Sequence, residues 1–167
     1  MKRTVLAIVL VFIAWSILDF LIHGVILQAS YVATMDLWRP SAEMKMGLMH
    51  VVVLISSIAF VFIYKVLCGE KDAMKGMKYG IWFGVAVGVG MSYGTYSVMP
   101  IPYSMALTWF LGAVVEGAAA GLLVGSVGVV GETGTDEAWS MIDQDRTSRI
   151  RPSKFSSQSL KNAIQRS

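Results

Sequence analysis

Ionisable residues inside long apolar runs are the first groups in this sequence that could do chemistry. Asp19 and His23 are four residues apart and Ser16 precedes Asp19 by three, so all three share one face of a helix. Glu116 lies in a separate apolar run. An ionisable group in such a helix is costly unless it is paired, so each marks a functional hypothesis. Two interpretations stay open: a polar stripe that fixes helix packing, or a site that handles protons or cations.

Further polar side chains fall at a depth similar to that of Asp19 in the neighbouring apolar runs. Because residues at equal depth on adjacent helices can meet, we predict one polar pocket between the helices. The depth of a residue does not fix the direction in which its side chain points. The predicted members are Asp19, His23, His50, Tyr93, Tyr96 and Glu116.

Methionine and histidine near the second apolar run raise the question of a metal. Met44, Met46, Met49 and His50 offer thioether and imidazole ligands that suit copper, and a bis-histidine haem would require His23 and His50 to face each other. Methionine is also an ordinary filler of apolar cores. We expect neither a metal nor a cofactor, with copper and haem as the open alternatives.

No catalytic motif is visible in the sequence. It contains no phosphate-binding loop, no nucleophile elbow, no zinc-protease motif and no dinucleotide fingerprint. The single cysteine, Cys68, excludes an internal disulfide. We therefore expect a protein that is not an enzyme.

The elements that must position these residues are four long apolar runs. Of the 167 residues 55% are hydrophobic and 15% are charged, whereas soluble domains carry about 25% charged residues. Each run is long enough to cross a bilayer as a helix. The predicted spans are Thr4–Gln28, Met46–Leu67, Met77–Val98 and Ser104–Val130. We predict an all-α fold, with a four-helix transmembrane domain over 1–130 and a charged tail over 131–167.

The basic residues predict how these spans are oriented. If the N-terminus is cytoplasmic, only Arg39 and Lys45 of the 14 Lys and Arg residues lie on the opposite side. This bias follows the positive-inside rule and places both termini in the cytoplasm. The expected partner is the lipid bilayer, and no nucleic-acid partner is expected.

Glycines recur at every fourth position in the last two runs. Such spacing leaves a groove on one helix face, into which another backbone can pack closely. We predict that the two helices form a tight antiparallel hairpin by glycine-zipper packing, and self-association is the alternative. The packing residues are Gly80, Gly84, Gly88, Gly117, Gly121 and Gly125.

The composition changes after Gly131 from apolar to charged, first acidic and then basic. This pattern predicts a largely disordered cytoplasmic tail. Trp139, Met141 and Ile142 are apolar anchors within it, and they suggest a docking segment.

The chain resembles small bacterial four-helix membrane proteins of unknown function. The resemblance covers residues 1–130 and is carried by Asp19–Gly24, by Leu37–Pro40 and by the glycine-rich final hairpin. It implies a multi-pass protein of the bacterial inner membrane and no particular activity. The leading hypothesis is a non-enzymatic accessory or scaffold subunit of a larger membrane complex, with other membrane subunits or a second copy as partners. The alternative is a small oligomeric transporter or ion- or proton-handling protein that uses Asp19, His23 and Glu116.

Overall fold

A computed structural model describes residues 1–69, 71–129 and 144–145 of the chain. The chain divides into two units, Met1–Gly131 and Glu132–Ser167. The described residues of the first unit form helices and contain no β-strand. The predicted all-helical fold is thus confirmed for this part of the chain.

The described residues of the first unit include six α-helices. Their bounds are α1 Lys2–Asp19, α2 Gln28–Ala33, α3 Met46–Leu67, α4 Ala73–Gly88, α5 Gly94–Val98 and α6 Tyr103–Val127. A π-helical segment, Phe20–Ile26, continues α1, and a second one, Val89–Tyr93, joins α4 to α5. Short 3₁₀ turns at Met35–Leu37 and Ser41–Glu43 lie in the loop before α3.

Three helices among the described residues are long and apolar enough to cross a membrane. They are Lys2–Ile26, Met46–Leu67 and Tyr103–Val127. The continuous helical stretch 73–98 is not one of the three. Its lysines near the start and its glycine, tyrosine and serine residues make it less apolar than the others.

Local chemistry explains where the helices begin and end. The Asp72 carboxylate caps α4 by accepting hydrogen bonds from the backbone N–H groups of Met74 at 2.8 Å and Lys75 at 3.1 Å. Pro102 precedes α6 in an extended conformation. Gly128 ends α6 with a φ of 67°, a left-handed conformation that glycine adopts without steric cost.

Two apolar clusters hold the helices together, one towards each end of the bundle. We call the end that holds the loops 27–45 and 99–102 the long-loop end, and the end that holds Met1 and the α3–α4 loop the short-loop end. Near the short-loop end, α1, α3 and α6 share a buried cluster that includes Val11, Phe60 and Val124. Near the long-loop end, Ile22 and Met105 join α1 to α6.

Candidate functional site

Asp19 and His23 lie where α1 changes into its π-helical extension. Asp19 is the last residue of the α-helix, and His23 lies within Phe20–Ile26. The wider turn is marked by a hydrogen bond from the Leu27 N–H to the Ile22 carbonyl at 2.9 Å. Such π-helical turns are rare and are frequent at functional sites. His23 Nε2 lies 3.9 Å from Asp19 Oδ1, so the two side chains share one face.

Glu116 of α6 joins this pair from the opposite helix. Its carboxyl group contacts that of Asp19. One of its oxygen atoms, Oε1, is buried and has no hydrogen-bond partner within the described residues. The indole N–H of Trp15 donates a 2.9 Å hydrogen bond to the backbone carbonyl of Glu116. The structure thus brings together Asp19, His23 and Glu116 on two helices.

Two aromatic residues, Tyr31 and Trp109, complete the site. Neither is predicted from its depth along an apolar run. The Tyr31 hydroxyl of α2 lies 2.6 Å from His23 Nδ1, and the Trp109 indole N–H of α6 donates to the Tyr31 oxygen at 3.1 Å. Trp38 packs against both rings, with centroid distances of 5.4 Å to Tyr31 and 6.1 Å to Trp109. A signal for Trp109 does exist in the sequence, since it precedes Glu116 by seven residues and so shares its helix face.

Burial raises the pKa of the Tyr31 phenol, and its hydrogen bond from Trp109 acts in the opposite direction. Tyr31 is therefore a neutral hydroxyl group at neutral pH, able to donate one hydrogen bond and accept others. Helix α2 thus places a neutral, partly buried hydroxyl group against the imidazole of His23.

Three predicted pocket members lie elsewhere. His50 is exposed near the start of α3, where its Nδ1 lies 2.8 Å from the Met46 carbonyl of its own helix. Tyr93 and Tyr96 pack against Tyr103, with ring centroids 6.3 Å and 5.9 Å apart. The rotation of each helix about its axis, which depth along the sequence does not reveal, turns these three side chains away from Glu116.

Ser16, the first member of the predicted polar stripe, is satisfied within its own helix. Its hydroxyl donates to the Phe12 carbonyl at 2.8 Å. The polar stripe on α1 is therefore reduced to Asp19 and His23.

The predicted packing glycines line one interface between α4 and α6. Gly80 and Gly84 face the backbone of α6 around Gly117, and Gly76 faces Gly121. Gly88, one turn further along α4, meets the side chain of Ala113 and the ring of Phe110, and Gly125 meets the backbone of Asp72 and Ala73. The two helices thus pack backbone against backbone, with no side chain between them over most of their length.

The two histidines have different partners: His23 contacts Tyr31, and His50 contacts a carbonyl group of its own helix. Within the described residues, no group of three or more His, Cys, Asp or Glu side chains is arranged to hold a metal. The methionines near His50 are scattered, and Met44, Met46 and Met49 are all exposed.

The tail anchors Trp139, Met141 and Ile142 lie outside the described residues.

Comparison with known proteins finds no matching family model, no similar curated protein and no similar solved structure. The chemistry of the site therefore rests on the geometry described above.

Proposed function

We propose that this chain is a non-enzymatic accessory subunit of a larger membrane assembly. The observation that carries the proposal is the exposure of two ionisable side chains on a membrane-spanning helix. The side chain of His23 is 41% exposed and that of Asp19 is 38% exposed. Contact of such groups with lipid costs several kcal/mol at mid-bilayer, about 2.5–3.5 for an aspartate on insertion scales. A partner that offers hydrogen-bonding groups removes this cost.

The long-loop half of α3 supports the same proposal. Over Met46–Val52 the side chains are exposed on every face of the helix, including Leu48 at 58% and Met49 at 57%. The helix meets the rest of the bundle only further along, where Ser57, Phe60 and Tyr64 are buried. A spanning helix that packs against its own chain over half of its length leaves the other half for a neighbour.

The occupant that fits this surface is a transmembrane helix of a different protein, with a polar side chain at the depth of Asp19. A second copy of this chain fits less well. Two copies with the same orientation in the membrane place equal depths together, so that Asp19 would face Asp19. Like charges at this depth disfavour such a contact.

The membrane arrangement that we propose has four spans, with the helical stretch 73–98 as the third. Its support is the close packing of α4 on the spanning helix α6. Lys65, Lys71, Lys75 and Lys78 would then lie at the same end of the bundle as Lys2 and Arg3. By the positive-inside rule this short-loop end is cytoplasmic. The resemblance to small bacterial membrane proteins supports the inner membrane of a bacterium as the location.

Photo-crosslinking in native membranes tests the accessory role. A photoreactive amino acid is placed at Phe20 or at Met49, which are 67% and 57% exposed, and at Trp82, a 73% exposed control on α4. We expect both test positions to give an adduct with one and the same protein. Asp19→Leu should abolish both adducts while the chain remains at normal abundance, and Trp82 should give mainly lipid adducts. Adducts with a second copy alone, or with lipid at all three positions, would contradict the proposal.

A further inference from the structure

A series of neighbouring polar groups runs from the long-loop end to the middle of α6. The Trp109 indole N–H donates to Tyr31, and the Tyr31 hydroxyl lies 2.6 Å from His23 Nδ1. His23 Nε2 lies 3.9 Å from Asp19 Oδ1, and the Asp19 carboxyl contacts Glu116. The series ends at Glu116 Oε1, which is buried and has no hydrogen-bond partner among the residues that the structure describes.

The donors in this series favour one position for the proton on His23 before a further proton is bound. An indole N–H can only donate, so the Tyr31 oxygen accepts from Trp109, and the Tyr31 O–H is left to donate to His23 Nδ1. A neutral imidazole that accepts at Nδ1 carries its own proton on Nε2. His23 therefore directs an N–H group towards Asp19.

The site contains two carboxyl groups and only one imidazole. Asp19 and His23 come from α1, Tyr31 from α2 and Glu116 from α6. Within the described residues, no ionisable group of α3 or α4 acts on them. Two carboxyl groups in contact within an apolar bundle do not both remain ionised, and they share a proton. A proton on Glu116 would turn its contact with Asp19 into a hydrogen bond from one carboxyl group to the other.

We propose that Asp19 and Glu116 bind a single exchangeable proton, and that His23 and Tyr31 connect this proton to the long-loop end. For binding, Tyr31 passes its hydroxyl proton to His23 Nδ1 and takes up one from a hydronium ion in the solvent at the long-loop end, which leaves a water molecule. His23 passes its Nε2 proton to Asp19, so the imidazole stays neutral and one proton is gained by the carboxyl pair. Release is the same sequence in reverse. A rotation of the Asp19 side chain closes the 3.9 Å gap.

This inference does not depend on the chain having a partner, and its test uses the full-length protein reconstituted in lipid vesicles. Infrared difference spectroscopy follows the C=O stretching band of a protonated carboxyl group as the pH changes. We expect one such band that titrates with pH and is lost in Glu116→Gln, whereas Glu43→Gln, in the loop before α3, leaves it unchanged. A wild-type spectrum without a titrating band, or a band that Glu116→Gln does not affect, would overturn the site.

The route is tested by the rate at which this band shifts after transfer into D₂O. Tyr31→Phe keeps the ring between Trp38 and Trp109 but removes the hydroxyl. We expect exchange to slow by at least about tenfold. This threshold is set lower than the roughly 10²–10⁴-fold effect that is typical of a positioned proton-transfer group. Tyr96→Phe, at a tyrosine that is 43% exposed and packs against Tyr103, is the matched control and should exchange at the wild-type rate. Equal rates in Tyr31→Phe and wild type would overturn the route.

Discussion

At the level of single residues, Trp15 links α1 to α6 through one hydrogen bond and to α3 through one ring contact. Its indole N–H donates to the Glu116 carbonyl, and its ring lies 5.3 Å from that of Phe60. Trp15→Phe removes the donor and keeps an aromatic ring at the position. We expect it to lower the free energy of unfolding by about 0.5–1.5 kcal/mol, the usual net contribution of one hydrogen bond. Unfolding in mixed micelles measures this, with Trp82→Phe on an exposed face as the control. Equal losses in both variants would show that the bond to Glu116 contributes nothing.

Asp72 gives a second prediction at this scale, on pH. The pKa of its carboxyl is lowered chiefly by the hydrogen bond from the Lys75 backbone N–H, with a smaller effect of the bond from Met74. A lowered pKa in the folded state means that the cap stabilises α4 above the unfolded value of about 3.9, and that this stabilisation is lost as the pH falls through the folded value. In Asp72→Ser the cap is retained without a titrating group. We therefore expect the melting temperature of wild type to fall more steeply than that of Asp72→Ser below about pH 4. Parallel melting curves across this range would contradict the expectation.

At the level of elements, the interface between α4 and α6 has no room for a side chain. A Cβ atom at Gly84 would lie 2.8 Å from the Cα atom of Val114, and one at Gly121 would lie 2.8 Å from the Gly76 carbonyl carbon. Both neighbours are backbone atoms, so the helices themselves must separate. We expect Gly84→Ala and Gly121→Ala each to lower the free energy of unfolding by about 1–3 kcal/mol, the usual cost of overpacking.

Gly90 and Gly94 provide the matched controls for this interface, because a Cβ atom at either position meets open space. Alanine there should be neutral or slightly stabilising, since alanine favours a helix by up to about 1 kcal/mol relative to glycine. The four alanine variants are compared by thermal unfolding in one detergent. If all four have the same stability, close backbone packing is not what holds α4 to α6.

At the level of the whole molecule, the proposed arrangement predicts which loops face out of the cell. Ser41 lies exposed in the loop at the long-loop end, and Cys68 follows α3 at the short-loop end. We expect a membrane-impermeant maleimide to label Ser41→Cys in intact cells and to leave Cys68 unlabelled until the cells are permeabilised. Labelling of Cys68 in intact cells would reverse the proposed orientation.

The sequence predicts the helices better than it predicts their faces. The long apolar runs and the breaker Pro102 place most of the helices to within a few residues, because a helix in lipid must satisfy its own backbone. The predicted last span nevertheless runs three residues past Val127, where α6 ends. Contacts between helices depend on rotation about each axis, which composition does not encode. Spacing alone takes Val124 off the glycine face of α6, but it does not show that this residue is fully buried in the cluster that joins α1, α3 and α6. Helix rotation is also the reason why His50, which lies at a depth similar to that of His23, contacts its own helix rather than the site.

The glycine interface also has a consequence for the order of assembly. A Cα hydrogen of Gly76 points at the carbonyl oxygen of Gly121, and a Cα hydrogen of Gly121 points at that of Gly76. Gly80 and Gly117 face each other in the same way. This geometry suits weak Cα–H···O bonds, worth about 0.5–1 kcal/mol each. The stretch 73–98 and α6 are consecutive in the chain, so their pairing closes a short loop at little entropic cost. We expect this hairpin to assemble first during biosynthesis and to act as the template on which α1, with its carboxyl and imidazole groups, later docks.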